Sequence, residues 1–266
     1  MTRVAVVGHV EWIDFLAVDV YPERGAIEPA RHERRGAGGG AVVAAAVLAE
    51  LGAETEFFCA VGDDDLGAAA VAELEARGII VHAARRPAPT REAVTLLDGG
   101  GERTILTVGD RLAPHGEDAL EWGRLANADG VYLTAGDAAA TRRARAARAL
   151  VTTPRMGEQS DDPQLVIDAL VFSASDPDEV QWADRLSARC RLAVATDGSN
   201  GGRWWGESEG TWKSVPPPGP IRDSYGAGDA FAAGFTFGMA QELGPAEAAA
   251  IGARCGAAML ARVGAP

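Results

Sequence analysis

Short apolar runs alternate with longer alanine-rich stretches along most of the chain. The short runs have the length and residue types of buried strands, which we expect at residues 4–7, 55–60, 130–134, 165–171 and 192–196. The longer stretches favour helices, which we expect at residues 40–51, 68–77, 138–150, 178–188 and 245–262, with a further helix opening at residue 230. Strands that alternate with helices predict an α/β fold of three layers, α/β/α, around a mostly parallel central sheet.

Two stretches break this alternation. Residues 15–35 and 91–108 carry β-type residues with turn signals at residues 21–22 and 98–101, a pattern typical of hairpins and not of crossover helices. We therefore expect segments 11–36 and 91–108 to form a small β-sheet beside the main one. Because the chain is long enough for one large α/β unit with such an addition, we predict a single domain over residues 1–266.

The composition argues against several classes of function. The 266 residues carry a formal net charge of −13. Proteins that bind a nucleic-acid backbone concentrate Lys and Arg, so we expect no nucleic-acid partner. No apolar run is long enough to cross a bilayer and no charged-then-apolar leader is found, so we expect a cytoplasmic protein with no membrane partner. Three scattered cysteines without a CxxC pair indicate reduced thiols.

Residues 223–234 combine a glycine turn, a helix start and a carboxylate. Glycine lets a ligand approach the main chain closely, so the amides of Gly226, Ala227 and Gly228 can converge on an anion. The first amides of the following helix lack internal partners and lie at the positive end of its dipole, which suits a phosphate group. Asp229, in the first turn, would then be a general base. The alternative is a plain glycine turn in which Asp229 caps the helix.

The same segment resembles the C-terminal signature of the ribokinase family, the PfkB carbohydrate kinases, written D-T-T-G-A-G-D-x-F-x-x-G. Ser224 and Tyr225 replace the two threonines. Further stretches that resemble the family follow in its order at residues 4–8, 38–39, 51–52, 61–67, 101–104 and 196–201. The resemblance implies a ribokinase-like enzyme that transfers the γ-phosphoryl group of ATP to a hydroxyl of a small acceptor. It also implies that the small sheet is a lid over the acceptor, and we expect a homodimer formed through that lid.

The resemblance assigns the turn after the strand at residues 192–196 to the nucleotide. Thr196, Gly198, Ser199 and Gly201 belong to this turn, and its glycines would let the backbone approach the phosphates of ATP. An ordinary Asp-Gly-Ser turn is the alternative interpretation.

Two aspartates are candidates for metal binding. Mg²⁺ is the expected companion of ATP, and relatives present an N-x-x-E motif to its hydration shell. Here that position runs from Ser173 to Asp176, so Asp176 either faces Mg²⁺ or caps the helix that begins near Pro177. Asp223 is similar to a family residue that ligates a monovalent cation, which implies activation by K⁺, with a purely structural aspartate as the alternative.

The acceptor pocket departs from the family pattern. An alignment without gaps places Glu11 where relatives have Asn, and Ile13 where they have a sugar-binding Asp. Side chains alternate along a strand, so Glu11 and Ile13 share the ligand face and Asp14 looks away, unless a bulge turns it inward. The substrate-binding candidates are therefore Glu11, Asp14, Gly38 and Gly39.

Val43 stands where the family has an Asn that binds sugar hydroxyls. With Ile13 and Val43 in the pocket, the hydroxyls of free ribose would lose hydrogen bonds worth about 1–3 kcal/mol each, so we do not expect ribose as the substrate. An apolar pocket suits a nucleoside-like acceptor, whereas a furanose phosphate requires basic residues such as Arg91 or Arg103. The alternative to a kinase is a non-catalytic ligand-binding or sensor protein on the same fold.

Overall fold

The computed structural model describes residues 1–98, 103–160, 162 and 164–266, which form thirteen strands and six α-helices. The strands are β1 (Arg3–Val7), β2 (Glu11–Val18), β3 (Ala30–Gly38), β4 (Glu54–Gly62), β5 (Ile80–Arg86), β6 (Glu92–Leu97), β7 (Arg103–Val108), β8 (Gly130–Leu133), β9 (Ala149–Thr152), β10 (Ile167–Ser173), β11 (Cys190–Thr196), β12 (Gly202–Gly206) and β13 (Gly210–Trp212). The helices are α1 (Gly40–Glu50), α2 (Asp65–Ala76), α3 (Ala138–Ala144), α4 (Pro177–Leu186), α5 (Ala227–Ala240) and α6 (Pro245–Met259).

The main sheet has the strand order β13-β12-β11-β10-β9-β8-β1-β4-β5. The strands from β11 to β5 in this order are parallel, and β12 and β13 extend the sheet as an antiparallel hairpin. The chain passes from β1 to β4 and β5 on one side and later returns to β8 on the other. Connections at the carboxyl ends of β1 and β8 therefore diverge, and such a crevice is where open parallel sheets bind ligands.

Helices cover both faces of this sheet. Because side chains alternate along a strand, Val4 and Val6 of β1 pack with α1, α5 and α6, whereas Ala5 and Val7 pack with α3 on the opposite face. Helix α4 packs against Leu170 and the rest of the apolar surface of β10 and β11 on the α3 side. The predicted three-layer α/β/α fold is confirmed.

The second sheet has the strand order β3-β2-β6-β7. Strand β2 pairs antiparallel with β3 and parallel with β6, and β7 pairs antiparallel with β6. Ile13 and Phe15 of β2 belong to the same apolar cluster as α1 and α5, which anchors this sheet to the main body. The small sheet expected from segments 11–36 and 91–108 is confirmed. Residues 99–102, which include parts of the expected turn at 98–101 and of the motif at 101–104, lie outside the described residues.

One expected helix is too long. The pattern predicts a helix over residues 138–150, but α3 ends at Ala144 and residues 149–152 form β9. The guanidinium of Arg145 donates to the carbonyl oxygens of Ala147 and Arg148 and to the carboxylate of Asp168, which holds the chain in the turn that follows α3. Strand β9 is fully buried between β8 and β10, so burial of an apolar strand outweighs the helix propensity of this alanine-rich stretch.

Strand β5, at the edge of the main sheet, has no counterpart among the predicted strands. Within the described residues, the helices fall short of the length and apolar character needed to cross a membrane.

Candidate active site

A cavity of about 280 Å³ opens at the carboxyl ends of β8, β10 and β11, beside the first turn of α5. Its lining includes residues singled out from the sequence, namely Asp176, Thr196 and residues 226–229. It also includes Tyr132, Arg155 and Glu179, which no sequence motif indicated. The structure thus gathers the expected base, the expected phosphate-binding turn and three unexpected polar side chains around one cavity.

The two glycines at the start of α5 play different parts. Gly226 has a positive φ of 71° and lies against Val43, whose Cγ2 would be 2.7 Å from a Cβ at this position. Gly228 lies inside the helix, and a Cβ there would meet nothing within 4 Å. The amide of Ala227 makes a long hydrogen bond of 3.4 Å to the carbonyl oxygen of Ser224. The first turn of α5 therefore borders open space of the kind a phosphate group would fill.

Asp229 is buried in the first turn of α5, with 7% of its surface exposed. Its Oδ1 accepts hydrogen bonds from the Tyr132 hydroxyl at 3.1 Å and from Nη2 of Arg155 at 2.7 Å. A Cβ on Gly40, at the start of α1, would lie 2.5 Å from Oδ1 and 2.6 Å from Oδ2. Gly40 therefore leaves room for this carboxylate between α1 and α5.

The charge of Asp229 acts on both of its partners. Burial and then the Asp229 charge raise the pKa of Tyr132, so the phenol stays a neutral donor. The Asp229 charge is the main cause that raises the pKa of Arg155, so the guanidinium stays positive.

Two carboxylates lie on the α4 side of the cavity. Oδ1 of Asp176 accepts from the amides of Asp178 at 3.0 Å and Glu179 at 3.2 Å, so Asp176 caps α4 while it lines the cavity. Glu179 accepts from the Ser173 amide at 2.8 Å and pairs with Nε of Arg155 at 3.2 Å. Burial, together with the negative charges of Asp176 and Asp229, raises the pKa of Glu179 against the opposing charge of Arg155.

Asp223 lies beneath the turn and is not part of the cavity lining. Its carboxylate accepts from the amide of Tyr225 at 2.8 Å and from the amide of Gly264 at 3.4 Å. The Tyr225 hydroxyl in turn accepts from the amide of Gly39 at 2.5 Å. These contacts favour the structural interpretation of Asp223, which ties the turn to residues near position 264.

The turn after β11 contributes less to the cavity than the sequence suggested. Thr196 lines the cavity, but Gly198 and Ser199 are exposed and outside its lining. Gly201 has a φ of 88° and packs against the chain at Trp212, whose carbonyl oxygen would be 2.1 Å from an added Cβ. The glycine at position 201 therefore serves the β11–β12 connection.

Glu11 is buried on the side of the lid that faces the main body. Its carboxylate lies 3.5 Å from Nε2 of His9 and 3.4 Å from Nη1 of Arg91. Burial raises the pKa of Glu11, but the hydrogen bond from His9 and the charges of His9, Arg91 and Arg111 outweigh it, so the net shift is downward. A Cβ on Gly39 would lie 3.3 Å from Nε2 of His9. We refer to Glu11, His9, Arg91 and Arg111 together as the Glu11 group. The Gly39-Gly40 turn separates this group from Asp229 by only a few ångströms of backbone.

Buried nitrogens in the Glu11 group lack partners. Among the described residues, Nδ1 of His9 and Nε of Arg91 are buried without a hydrogen bond. Arg111 is exposed by its accessible surface and has no ion-pair partner within that part of the chain. Partial desolvation and the charges of Arg91 and Arg155 lower its pKa against the charges of Glu11 and Asp229, so Arg111 lies within electrostatic reach of both carboxylates.

Asp14 is not brought to this site. It lies on the opposite face of β2, 3.2 Å from Nε2 of His32 and 3.2 Å from Nε of Arg35. The register of the β2–β3 pair shifts between Phe15 and Leu16, beyond Asp14, and the extra residue is Glu33 of β3, so no bulge turns Asp14 inward.

The two apolar replacements expected in the pocket are core residues. Val43 packs under Gly226, and the side chain of Ile13 lies against Gly38, with Cδ1 only 2.3 Å from the position of an added Cβ. An acceptor pocket lined by Ile13 and Val43 therefore does not match the structure, and the argument for a nucleoside that rested on it loses its basis.

Comparison with known proteins gives one family over the whole chain. A model described as pfkB family carbohydrate kinase matches residues 1–266. The ATP-dependent ribose-1-phosphate kinase of Halopiger xanaduensis is 33% identical over 254 residues, which cover 88% of this chain and 84% of that protein. The acarbose 7(IV)-phosphotransferase of an Actinoplanes species is 33% identical over 220 residues, which cover 72% of this chain and 69% of that protein.

Solved structures share the fold. A ribokinase from Thermotoga maritima matches with a TM-score of 0.80 and 19% identity, over 100% of this chain and 95% of that one. The ribokinase of Arabidopsis thaliana, complexed with ribose and ATP, matches with a TM-score of 0.77 and 21% identity, over 100% and 95% of the two chains.

Proposed function

The chain belongs to the pfkB family of carbohydrate kinases and is a phosphotransferase with an alcohol group as acceptor, and on that premise we propose that it transfers the γ-phosphoryl group of ATP to a hydroxyl of a sugar phosphate. The observation that carries the transfer step is the buried carboxylate of Asp229 in the first turn of α5, at the edge of a cavity bordered by the 226–228 amides.

The cavity suits a triphosphate. Open space lies beside Gly228, and the cations Arg103 and Arg155 line the same cavity. The amides of Gly226, Ala227 and Gly228 would bind the oxygens of the γ-phosphoryl group at the positive end of α5. The rest of the nucleotide would extend towards Thr196, at the end of β11.

Asp229 is assigned the role of general base. Both of its hydrogen bonds fall on Oδ1, so we assign Oδ2 to the acceptor hydroxyl. The hydroxyl O–H bond breaks as its proton passes to Asp229, the acceptor oxygen forms a bond to the γ-phosphorus, and the bond from that phosphorus to the β–γ bridging oxygen breaks to release ADP.

The donor set around the cavity fits a metal ion that arrives with the nucleotide. Within the described residues, no group of three or more His, Cys, Asp or Glu side chains is arranged to hold a metal. Mg²⁺ ordinarily keeps several waters and binds through one or two carboxylates plus phosphates. We assign Asp176 to the hydration shell of such an ion, where Mg²⁺ would neutralise charge on the phosphates.

The Glu11 group supports a phosphorylated acceptor. Buried polar atoms in proteins nearly always have partners, yet Nδ1 of His9 and Nε of Arg91 have none among the described residues. With Arg111 also unpaired there, this group holds more positive than negative charge. The positive charge of Arg91 and Arg111 would attract a phosphate group on the acceptor. The relative named for ribose 1-phosphate supports the same class of acceptor.

The test is ADP release from Mg-ATP with matched acceptors: ribose, ribose 1-phosphate, adenosine and acarbose. We expect kcat/KM for the phosphorylated pentose to exceed that for ribose at least about tenfold, the worth of one hydrogen bond to a charged group. Arg111→Met should raise KM for that acceptor, whereas Arg31→Met, an exposed lid arginine paired with Asp19, should not. A higher kcat/KM with adenosine would contradict the sugar-phosphate assignment.

Asp229→Asn tests the base itself. It should lower kcat by about 10²–10⁴-fold, the usual contribution of a general base, while the thermal melting temperature stays close to that of the wild type. Full activity in this variant would remove Asp229 from the mechanism. Nucleotide binding without turnover on any acceptor would instead favour the non-catalytic sensor.

A further inference from the structure

Arg155 is held at the centre of the cavity by two carboxylates on different helices. Its Nη2 donates to Oδ1 of Asp229 on α5 at 2.7 Å, and its Nε contacts Oε1 of Glu179 on α4 at 3.2 Å. Nε also donates to Oγ1 of Thr153 at 3.3 Å. Contacts from two helices, together with one from Thr153 in its own segment, therefore fix the orientation of a side chain that would otherwise have many rotamers.

The same side chain remains open to a ligand. It lines the cavity and keeps 41% of its surface exposed despite these contacts. The contacts to Asp229, Glu179 and Thr153 use Nε and Nη2, so Nη1 stays available within the described part of the chain. A guanidinium carries five N–H donors in a rigid plane and can bind carboxylates and a phosphoryl group at the same time.

Charge makes this position important for the proposed reaction. Asp229 and Glu179 bring two carboxylates to the place where the γ-phosphoryl group would lie. A triphosphate beside two carboxylates would be repelled without a cation between them. Orientation of Asp229 alone does not require an arginine, because the Tyr132 hydroxyl already binds the same Oδ1.

We propose that Arg155 is a catalytic residue that contacts the γ-phosphoryl group through Nη1 and stabilises the charge on that group during transfer. The inference rests on the proposed kinase function. In other phosphoryl-transfer enzymes an arginine from the same chain or from a partner protein stabilises the charge of the transition state. Arg155 would have this role here and comes from the chain itself. Glu179 holds it in place as a positioning residue.

The decisive measurement is binding, independent of turnover. Calorimetry with Mg²⁺ compares ADP with the β,γ-imido analogue of ATP in the wild type, in Arg155→Met and in Arg155→Lys. Arg155→Met should weaken binding of the analogue by roughly tenfold to a hundredfold, the range of one charge-assisted hydrogen bond, and change ADP binding less than about twofold. Arg155→Lys should lie between, because an ammonium keeps the charge but lacks the planar fork.

The same comparison in an Asp229→Asn background separates direct contact from an effect through the base. Because the amide introduced by Asp229→Asn is uncharged and cannot form an ion pair with Arg155, a loss of analogue binding in Asp229→Asn/Arg155→Met relative to Asp229→Asn would come from the phosphoryl contact. Arg142→Met removes an exposed arginine from α3 and is the matched control. Thermal melts report whether each variant is folded, and Arg155→Lys carries the comparison if Arg155→Met is not.

Two results would overturn the inference. One is an equal loss of ADP and analogue affinity in Arg155→Met, and the other is unchanged analogue affinity in the Asp229→Asn background. A wild type that binds neither nucleotide would instead overturn the proposed function, so the two failures are distinguishable. In turnover, the contact predicts a fall in kcat of about 10³-fold or more for Arg155→Met, as for other arginines at phosphoryl-transfer sites.

Discussion

Gly226 and Gly228 lie two residues apart, but the fold requires glycine only at Gly226, whereas at Gly228 we expect the requirement to come from ligand binding. Gly226 combines a left-handed backbone with close packing on Val43, so Gly226→Ala should destabilise the fold by about 1–3 kcal/mol. Gly228 has ordinary helical geometry and open space, so Gly228→Ala should leave stability unchanged or raise it by about 0.4–1 kcal/mol. Its methyl group would occupy the space assigned to phosphate, and nucleotide affinity should fall. Chemical denaturation and nucleotide calorimetry on both variants check this pair. A loss of stability in Gly228→Ala together with a loss of nucleotide affinity only in Gly226→Ala would contradict the phosphate-binding turn assigned to residues 226–228.

Glu11 and Asp14 provide a second matched pair, on opposite faces of β2. Glu11→Gln removes the carboxylate that pairs with His9 and Arg91, so KM for the acceptor should change by roughly tenfold, as for one hydrogen bond between charged groups. KM for ATP should stay near the wild-type value. Asp14→Asn removes partly exposed ion pairs with His32 and Arg35, and its kinetics should match the wild type. A larger acceptor effect from Asp14→Asn than from Glu11→Gln would relocate the acceptor site.

The site was only partly predictable from the sequence at this scale. Asp229 and the 226–228 turn lie within one motif, and their spacing carries the signal. Arg155 and Tyr132 contact Asp229 across 74 and 97 residues, so no local spacing links them to it. Only their positions in the fold could have indicated them. Tyr132 lies in a predicted strand, and Arg155 lies just beyond β9, whose carboxyl end borders the same cavity. The position of Arg155 could not be used, because the predicted helix over residues 138–150 included the first two residues of β9.

At the scale of single elements, Asp64 shows that the motif at residues 61–67 is structural. Its Oδ1 accepts from the amide of Gly67 and from Oγ1 of Thr90, both at 2.7 Å, and its Oδ2 accepts from the Thr90 amide at 2.7 Å. The aspartate therefore caps α2 and fixes the segment that leads into β6. Resemblance to the family indicated the motif but not this role.

Asp64→Asn should lower the free energy of unfolding by about 1–2 kcal/mol, because the amide NH₂ group would face a backbone donor. Burial raises the pKa of Asp64, but the hydrogen bonds from Gly67 and Thr90 outweigh it and lower the pKa. Since the folded pKa is below the unfolded one, this stabilisation is full above the unfolded value of about 3.9 and is lost as pH falls through the folded pKa.

Urea denaturation of wild type and Asp64→Asn between pH 7 and pH 3 checks this sign. The difference in stability should be constant near neutrality and shrink below roughly pH 4, where the wild-type carboxyl becomes protonated. Asp65→Asn, an exposed residue in the first turn of the same helix, is the control. A difference that grows with acidity would mean that the hydrogen bonds do not favour the ionised carboxylate.

Elements with a clear apolar period were predictable, and those set by their neighbours were not. Strands β1, β4, β8 and β11 coincide with short apolar runs, and helices α1 and α6 coincide with long alanine-rich runs. Strand β9 is four residues long and forms because β8 and β10 leave a gap that it fills. Strand β5 pairs only along one side, and its alternation of Ala, His and Arg gives little apolar signal. Local propensity decides the first group, and sheet pairing decides the second.

At the scale of the whole molecule, the lid presents an unpaired edge. Strand β7 closes one side of the small sheet, and Ile105, Leu106 and Val108 expose 40%, 57% and 62% of their surfaces. Exposed apolar edges favour pairing with another chain. This supports the expected homodimer through the lid, which remains a proposal.

Leu106→Lys should shift the protein towards monomer, because a charge on an edge strand opposes edge-to-edge pairing. Sedimentation velocity over a range of concentrations measures the shift, with Val20→Lys as a control at an exposed apolar position outside β7. A wild type that is monomeric throughout would contradict the homodimer, and a dimer that persists in Leu106→Lys would place the interface elsewhere.

The central position of β1 also has a consequence for synthesis. The ribosome produces β1 first, and β4 can cover one of its edges once residue 62 has emerged, but the other edge waits for β8 at residues 130–133. For the time needed to add those residues, the nascent chain carries a bare apolar strand in the middle of its future sheet, which is the situation that recruits chaperones. Overproduction at low temperature or with added chaperones should therefore raise the soluble yield more than any change to the finished enzyme's surface.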